Sequence, residues 1–276
     1  MRSSVQKWND FYSFKPNSGL LQTEFGFYCL QEWKEQGHID DNTNIDKLFG
    51  IDHAGHHMLG QLGWCEAGFN PEFETKVLED RGEYELVQDF AGRSVLCFKG
   101  RRSGFMPEYV DHPVKDRTTW EALKWRLDPT TPARYTDLHE RMVDAKQKSS
   151  EGYIICAGLV GGYMYLRSLM GPEGALYMFY DDPDLVHDCM KTWFALADYV
   201  TAKHQEHVSL NEVFIAEDIC YNVTSLISPD CIREFLFPYY QQLLDNCKKR
   251  NLDKSKKIFF QVDTDGNCLP DRKSVV

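Results

Sequence analysis

The sequence predicts an α/β protein of the parallel (β/α) barrel kind, and three observations predict it. From residue 153 onward, short apolar segments alternate with amphipathic helical ones. Right-handed βαβ connections make such strands parallel, and near-continuous apolar strands suit burial on both faces. Two of the strands, 213–216 and 258–262, run straight into acids: Glu217-Asp218 after the first, Asp263-Thr-Asp265-Gly-Asn267 after the second. A parallel barrel gathers the carboxyl ends of its strands at one mouth, where its active site forms. Acids repeated at strand ends therefore predict a mouth lined with carboxylates.

The elements follow in order. Residues 22–29 form an early barrel strand. Residues 83–90 and 93–99 alternate apolar and polar around Ala91-Gly92, which predicts a β-hairpin. This hairpin belongs to an insertion spanning about 70–115, outside the barrel wall. Thr118 or Thr119 caps a helix through Arg126, with Glu121 in its first turn, and Pro129 and Pro132 end it. Another helix covers about 136–146. Residues 153–157 form a strand, followed by Gly158, Gly161 and Gly162 as a flexible loop. A helix over 163–170 stops at Gly171-Pro172. Asp182-Pro183 opens the next helix, which runs to about His207 on a stripe including Leu185, Met190, Trp193, Ala197 and Val200. Ser228-Pro229 caps the last helix, through Arg250, with Ile232, Phe235, Leu236, Tyr239, Leu243 and Leu244 inward.

Composition bounds the function. The chain has 276 residues, 42% of them apolar, and a net charge of -11. Such a surface repels phosphate backbones, so nucleic acid and anionic membrane are not expected partners. Nine cysteines occur without a C-x-x-C pair, as in a reduced cytoplasmic enzyme. No apolar run approaches a membrane span. The terminal hexapeptide Asp271-Arg-Lys-Ser-Val-Val276 is similar to the translation of a short-read sequencing adapter. It is read as a non-native tail on an incomplete barrel domain, 1–270, whose natural chain continues past about Pro270.

With these segments in view, the chain resembles the uroporphyrinogen decarboxylase (URO-D) superfamily, which also holds methylcobalamin-dependent methyltransferases. The likeness rests on Pro113-Val-Lys-Asp-Arg117 with Trp120, Arg126-Leu-Asp-Pro129, Arg167-Ser-Leu-Met-Gly171, Phe179-Tyr-Asp-Asp-Pro183, Glu217-Asp218, Ile227-Ser-Pro229, Phe237-Pro-Tyr-Tyr240 and Asp263-Thr-Asp-Gly-Asn267. It implies a URO-D-type barrel with its site at the C-terminal mouth. Two positions depart from the family. Thr23-Glu-Phe-Gly-Phe-Tyr-Cys29 stands where the decarboxylases carry Arg-Gln-Ala-Gly-Arg. Asp263-Thr264-Asp265 stands where the zinc methyltransferases carry His-x-Cys.

Candidate catalytic residues are Glu217, Asp218, Asp263 and Asp265. Turns and caps are the ordinary fate of such acids, but their place at strand ends favours a site. Asp263 and Asp265 share a side if the strand persists, which would suit a divalent cation. Arg167 offers a planar fork for a carboxylate or phosphate. Tyr163, Tyr221, Asn267 and Glu24 are candidate substrate contacts, and Tyr165 lies near the same mouth. The histidine cluster His53, His56 and His57 falls among glycines that argue for a loop, where polar surface outweighs metal ligation.

The expected chemistry is metal-assisted or acid/base group transfer, with a divalent metal or a corrinoid as cofactor and a corrinoid protein as partner. Corrinoid-linked methyl transfer is the leading form. Uroporphyrinogen decarboxylation, which needs no cofactor, is the alternative. It is disfavoured because the missing arginine motif leaves rim acids facing a polycarboxylate substrate. A non-catalytic tetrapyrrole- or corrinoid-binding protein is the third reading.

Overall fold

The structure is a computed structural model and describes residues 4–19, 29–50, 55–100 and 106–267. Along the chain run α1 (Ser4–Tyr12), α2 (Leu30–Glu35), α3 (Ile45–Phe49), β1 (His56–Met58), β2 (Lys76–Arg81), β3 (Tyr84–Gln88), β4 (Ser94–Phe98) and β5 (Glu108–Asp111). Then come α4 (Arg117–Leu123), α5 (Leu138–Ser150), β6 (Ile154–Val160), α6 (Gly162–Met170), α7 (Pro172–Asp181), α8 (Pro183–Gln205), β7 (Glu212–Ala216), α9 (Pro229–Cys231), α10 (Phe237–Arg250) and β8 (Phe259–Asp263). The expected strand at 22–29, with Glu24, lies outside the described residues apart from Cys29, as do His53 and the tail.

Four strands form a parallel sheet in the order β1-β6-β7-β8. Three consecutive strands separated by helices are the βα repeat the sequence predicts. The described strands make an open sheet rather than a closed barrel, so the architecture is a mixed α/β fold with a parallel segment. A second sheet, β2-β3-β4-β5, is antiparallel. Its centre is the expected hairpin: Tyr84 to Gln88 pair with Phe98 to Ser94, and Gly92 takes the positive φ of 81° that its turn needs. The two flanking strands carry little alternation in burial, which hid them in the sequence. No helix among the described residues is long and apolar enough to cross a membrane.

The two faces of the parallel sheet differ. Ile155, Ala157, Leu159, Val213 and Ile215 join the main core against the helices, while Cys156, Phe214 and Ala216 form a small cluster on the other face. The α8 stripe is buried as its period predicts, and Trp193 is fully enclosed with its indole N–H donating to the Val160 carbonyl at 3.1 Å. Helix α1 packs Trp8 and Tyr12 against Ile154 and Phe259 at the start of the strands.

Several local expectations change. The first helix cap at 116–126 is Asp116, whose carboxylate accepts from the Thr119 N–H; Thr119 sits at N3 and completes the capping box, and Glu121 pairs with Lys124 beyond the first turn. The helix also shortens to α4 and a 3₁₀ turn over Lys124–Leu127. Residues 172–181 add a helix, α7, that Pro172 opens. Gly158, Gly161 and Gly162 are not a loop: Gly158 is within β6, and Gly161 caps α6. They are small because neighbours press on them. A Cβ at Gly158 would lie 2.4 Å from Met58 Sδ, one at Gly161 2.5 Å from Glu217 Oε2, and one at Gly162 2.4 Å from Met190 Cε.

Candidate active site at the strand ends

Glu217 follows β7 and is 3% exposed. Its carboxylate reaches across to the first turn of α6, accepting the N–H of Met164 at 2.9 Å and of Tyr163 at 3.2 Å. These are orphan donors of a helix N-terminus, which favours negative charge. The Tyr240 hydroxyl donates to the same carboxylate and itself accepts the Gly162 N–H at 2.9 Å. The Glu217 N–H donates to the Asp263 carbonyl at 2.7 Å, tying the ends of β7 and β8 together. Burial pushes the Glu217 carboxyl up to about 7, against the opposing pull of its three donors. With its oxygens engaged and no solvent face, Glu217 positions α6. The expectation that Glu217 is a catalytic residue is corrected on that ground.

Tyr240 reaches Glu217 because the last helix is not regular. Ser228 caps α9 by accepting the Cys231 N–H, and α9 then passes through a π turn over Ile232–Leu236 before α10. Pro238 in the following turn has no N–H to give Glu234, while the Phe237 N–H bonds back to the Ile232 carbonyl. The extra residue in that turn shifts the helix phase. Tyr240, Leu243 and Cys247 face inward, whereas the expected Tyr239 and Leu244 are only half-buried. Sequence periodicity alone assumed an unbroken 3.6-residue repeat and so missed Tyr240.

The other acids do converge. Register sets Ala216 beside Asp263, the last residue of β8. Burial raises the Asp263 carboxyl, and the charges of Asp265 and Asp218 raise it further. The strand ends at Asp263, so the expected alternation stops there and Asp265 is exposed. Asp218 pairs with Arg167 at 2.9 Å. Arg167 therefore reaches the mouth from α6, already engaged with a carboxylate.

The remaining candidates divide. Tyr163 is 1% exposed, so its ring belongs to the core and only its backbone serves the site. That corrects its reading as a substrate contact. Tyr165 is also fully enclosed, stacked on Trp193 with centroids 5.3 Å apart. Tyr221 is exposed, and its carbonyl accepts the Asn267 N–H at 2.7 Å. This contact locks the loop after β8 onto the loop after β7, and Gly266 is needed there: its φ is 92° and a Cβ would meet the Tyr221 oxygen at 2.6 Å.

Three residues of the loop after β1 were not anticipated. Trp64 stacks on Phe214 at 5.4 Å and 10°, giving the mouth an aromatic wall. Burial pushes the Cys65 thiol up to about 11, and the charges of Glu66 and Asp218 add to this. Glu66 pairs at 2.8 Å with Arg93, which the hairpin of the second sheet delivers and which also holds Asp89 at 2.7 Å. No motif marks these residues; only the strand order brings their loop beside β6 and β7.

Among the described residues, His56 and His57 do not form a metal set. His56 and His57 lie on β1, not in a loop, and a strand sends neighbours to opposite faces. His56 Nε2 approaches Glu212 at 3.1 Å, and His57 Nε2 lies 3.8 Å from Asp144. Among the described residues, no three His, Cys, Asp or Glu side chains gather as a metal-holding group. Asp263 and Asp265 therefore gain no third such ligand among the described residues.

No protein-family model matches the chain. No curated protein matches it either. Among solved structures, a methyltransferase from Methanosarcina mazei is similar over 97% of this chain and 71% of its own, with a TM-score of 0.50 and 12% identity. At that identity the likeness concerns the fold: a parallel α/β sheet with helices, on which this chain sets its own acidic strand ends.

Proposed function

We propose that this chain is a group-transfer enzyme of the URO-D superfamily type, working by acid/base catalysis, with methyl transfer as its reaction class. The observation that carries the reading is Asp263: a half-buried carboxyl at a parallel strand end, raised by burial and by Asp265 and Asp218. A carboxyl raised above its ordinary range at a strand end is a candidate for moving protons. In this reading Asp263 takes the proton of an acceptor thiol or hydroxyl. The acceptor heteroatom forms its bond to the methyl carbon as the bond from that carbon to the donor breaks. Arg167 and Asp218 orient the substrate, Trp64 and Phe214 wall it in, and Glu217 with Tyr240 fixes the helix that carries Arg167. A corrinoid protein is the proposed methyl-donor partner.

Decarboxylation of a polycarboxylate ranks below this reading. Arg167 is paired with Asp218, and Arg93 with Glu66 and Asp89, so both arginines are neutralised in place. The deciding experiment supplies methylcorrinoid and other methyl donors with thiol and hydroxyl acceptors, and uroporphyrinogen in a parallel assay. Methyl transfer that falls at least about 100-fold in Asp263→Asn is expected. Full activity in that variant would remove Asp263 from the mechanism, uroporphyrinogen turnover would favour decarboxylation, and corrinoid binding without any turnover would favour a carrier.

A further inference from the structure

We propose that a groove at the opposite end of β8 binds a small organic polyanion. The groove lies between the C-terminal turn of α10 and the start of β8, with a volume of about 280 Å³. Lys248, Lys254, Lys256 and Lys257 line it, over apolar surface from Ile258 and Phe259. Its lining includes no carboxylate. In a chain of net charge -11 this is an island of positive potential.

Basic residues often end helices, where they complement the helix dipole. That accounts for Lys248, Lys249 and Arg250, and Arg250 is also paired with Asp198 at 2.8 Å. The Lys254 ammonium also serves the helix end, donating to the Lys249 carbonyl, whereas Lys256 and Lys257 come after the helix has ended. The nearby Asp253 carboxylate accepts from the Ser255 hydroxyl and N–H, at 2.6 and 2.9 Å, and also feels the charge of Lys256. Lys248 and Lys257 are left facing the shared space with no ion-pair partner among the described residues.

The loop that presents them is rigidly held. Asn251, 2% exposed, accepts the Leu210 N–H at 2.8 Å and donates to the Leu210 carbonyl at 3.1 Å. The Asp253 N–H donates to the Ser209 hydroxyl at 2.8 Å. A preformed, cation-rimmed cavity with an apolar floor takes a ligand whose apolar body rests on Ile258 and Phe259 while two or more acid groups meet the lysines. This site is independent of the acidic mouth, since β8 starts at the groove and ends at Asp263.

Calorimetric titration of the full chain with pyrophosphate and with adenosine diphosphate tests the proposal. Saturable binding of both is expected, with the nucleotide at least threefold tighter because only it carries an apolar ring. The double variant Lys254→Glu/Lys257→Glu should weaken both at least tenfold, while Lys191→Glu, on α8, should leave them unchanged. A circular-dichroism melt checks that each variant folds. Absence of saturable binding, or binding indifferent to the double substitution in a folded variant, overturns the site. Equal affinity for the two probes overturns the role of the apolar floor.

Discussion

Glu217 shows how one buried carboxyl joins structure to pH. Its ordinary value is 4.5 and in the fold it is pushed up to about 7 by burial. Between those values the folded protein keeps a proton that the unfolded chain releases. Stability from this group is thus fully present below pH 4.5 and is lost as pH rises through 7. A shift of this size corresponds to about 3 kcal/mol. We expect the unfolding free energy of the native chain, measured in denaturant between pH 5 and 8, to fall by about that amount relative to Glu217→Gln. Parallel profiles for the two proteins would show that Glu217 does not titrate in this window. The fate of Glu217 was only half legible in the sequence. Its place after a strand was plain, but its partners Tyr163, Met164 and Tyr240 are 54, 53 and 23 residues away.

At the scale of the element, the π turn before α10 is the feature on which the Glu217 contact depends. Proline inside a helix ordinarily costs stability, so its removal ordinarily helps. Here Pro238 accompanies the phase that turns Tyr240 inward. Pro238→Ala is therefore expected to destabilise by about 1–2 kcal/mol, as is Tyr240→Phe, through loss of a buried hydrogen bond to Glu217. The two should be strongly non-additive in a double-mutant cycle, because both act through one contact. Additive losses would separate the turn from the contact. The glycines at the end of β6 teach the same lesson. Gly158, Gly161 and Gly162 looked like a mobile loop in one dimension, and packing against Met58, Glu217 and Met190 explains their size instead.

At the scale of the molecule, Arg93 clasps the antiparallel sheet to the mouth of the parallel one. Its side chain is 7% exposed and paired with both Asp89 and Glu66. Removing one member of a buried ion-pair group strands the others without compensation. Arg93→Ala should lower stability by about 3–5 kcal/mol and expose the loop carrying Trp64 and Cys65. Thermal unfolding gives the first effect, and thiol labelling of Cys65, which should quicken, gives the second. Unchanged labelling would show that the clasp does not hold that loop.

The alternation of strands and helices after residue 153, the hairpin around Gly92, and the acidic ends of β7 and β8 were readable from the residues alone. These are legible because periodicity, caps and turn chemistry act over a few residues. Which acids are buried in the frame and which stay at the mouth was set by the three-dimensional packing. Glu217 is spent on capping α6, Tyr163 is enclosed, His56 and His57 part to opposite faces, and Asp263 keeps its half-buried place beside Asp218 and Asp265. Burial and hydrogen-bond partnership are set by atoms far apart in the chain, so a carboxyl's charge state and role emerge only when strand order and helix phase have brought those atoms together.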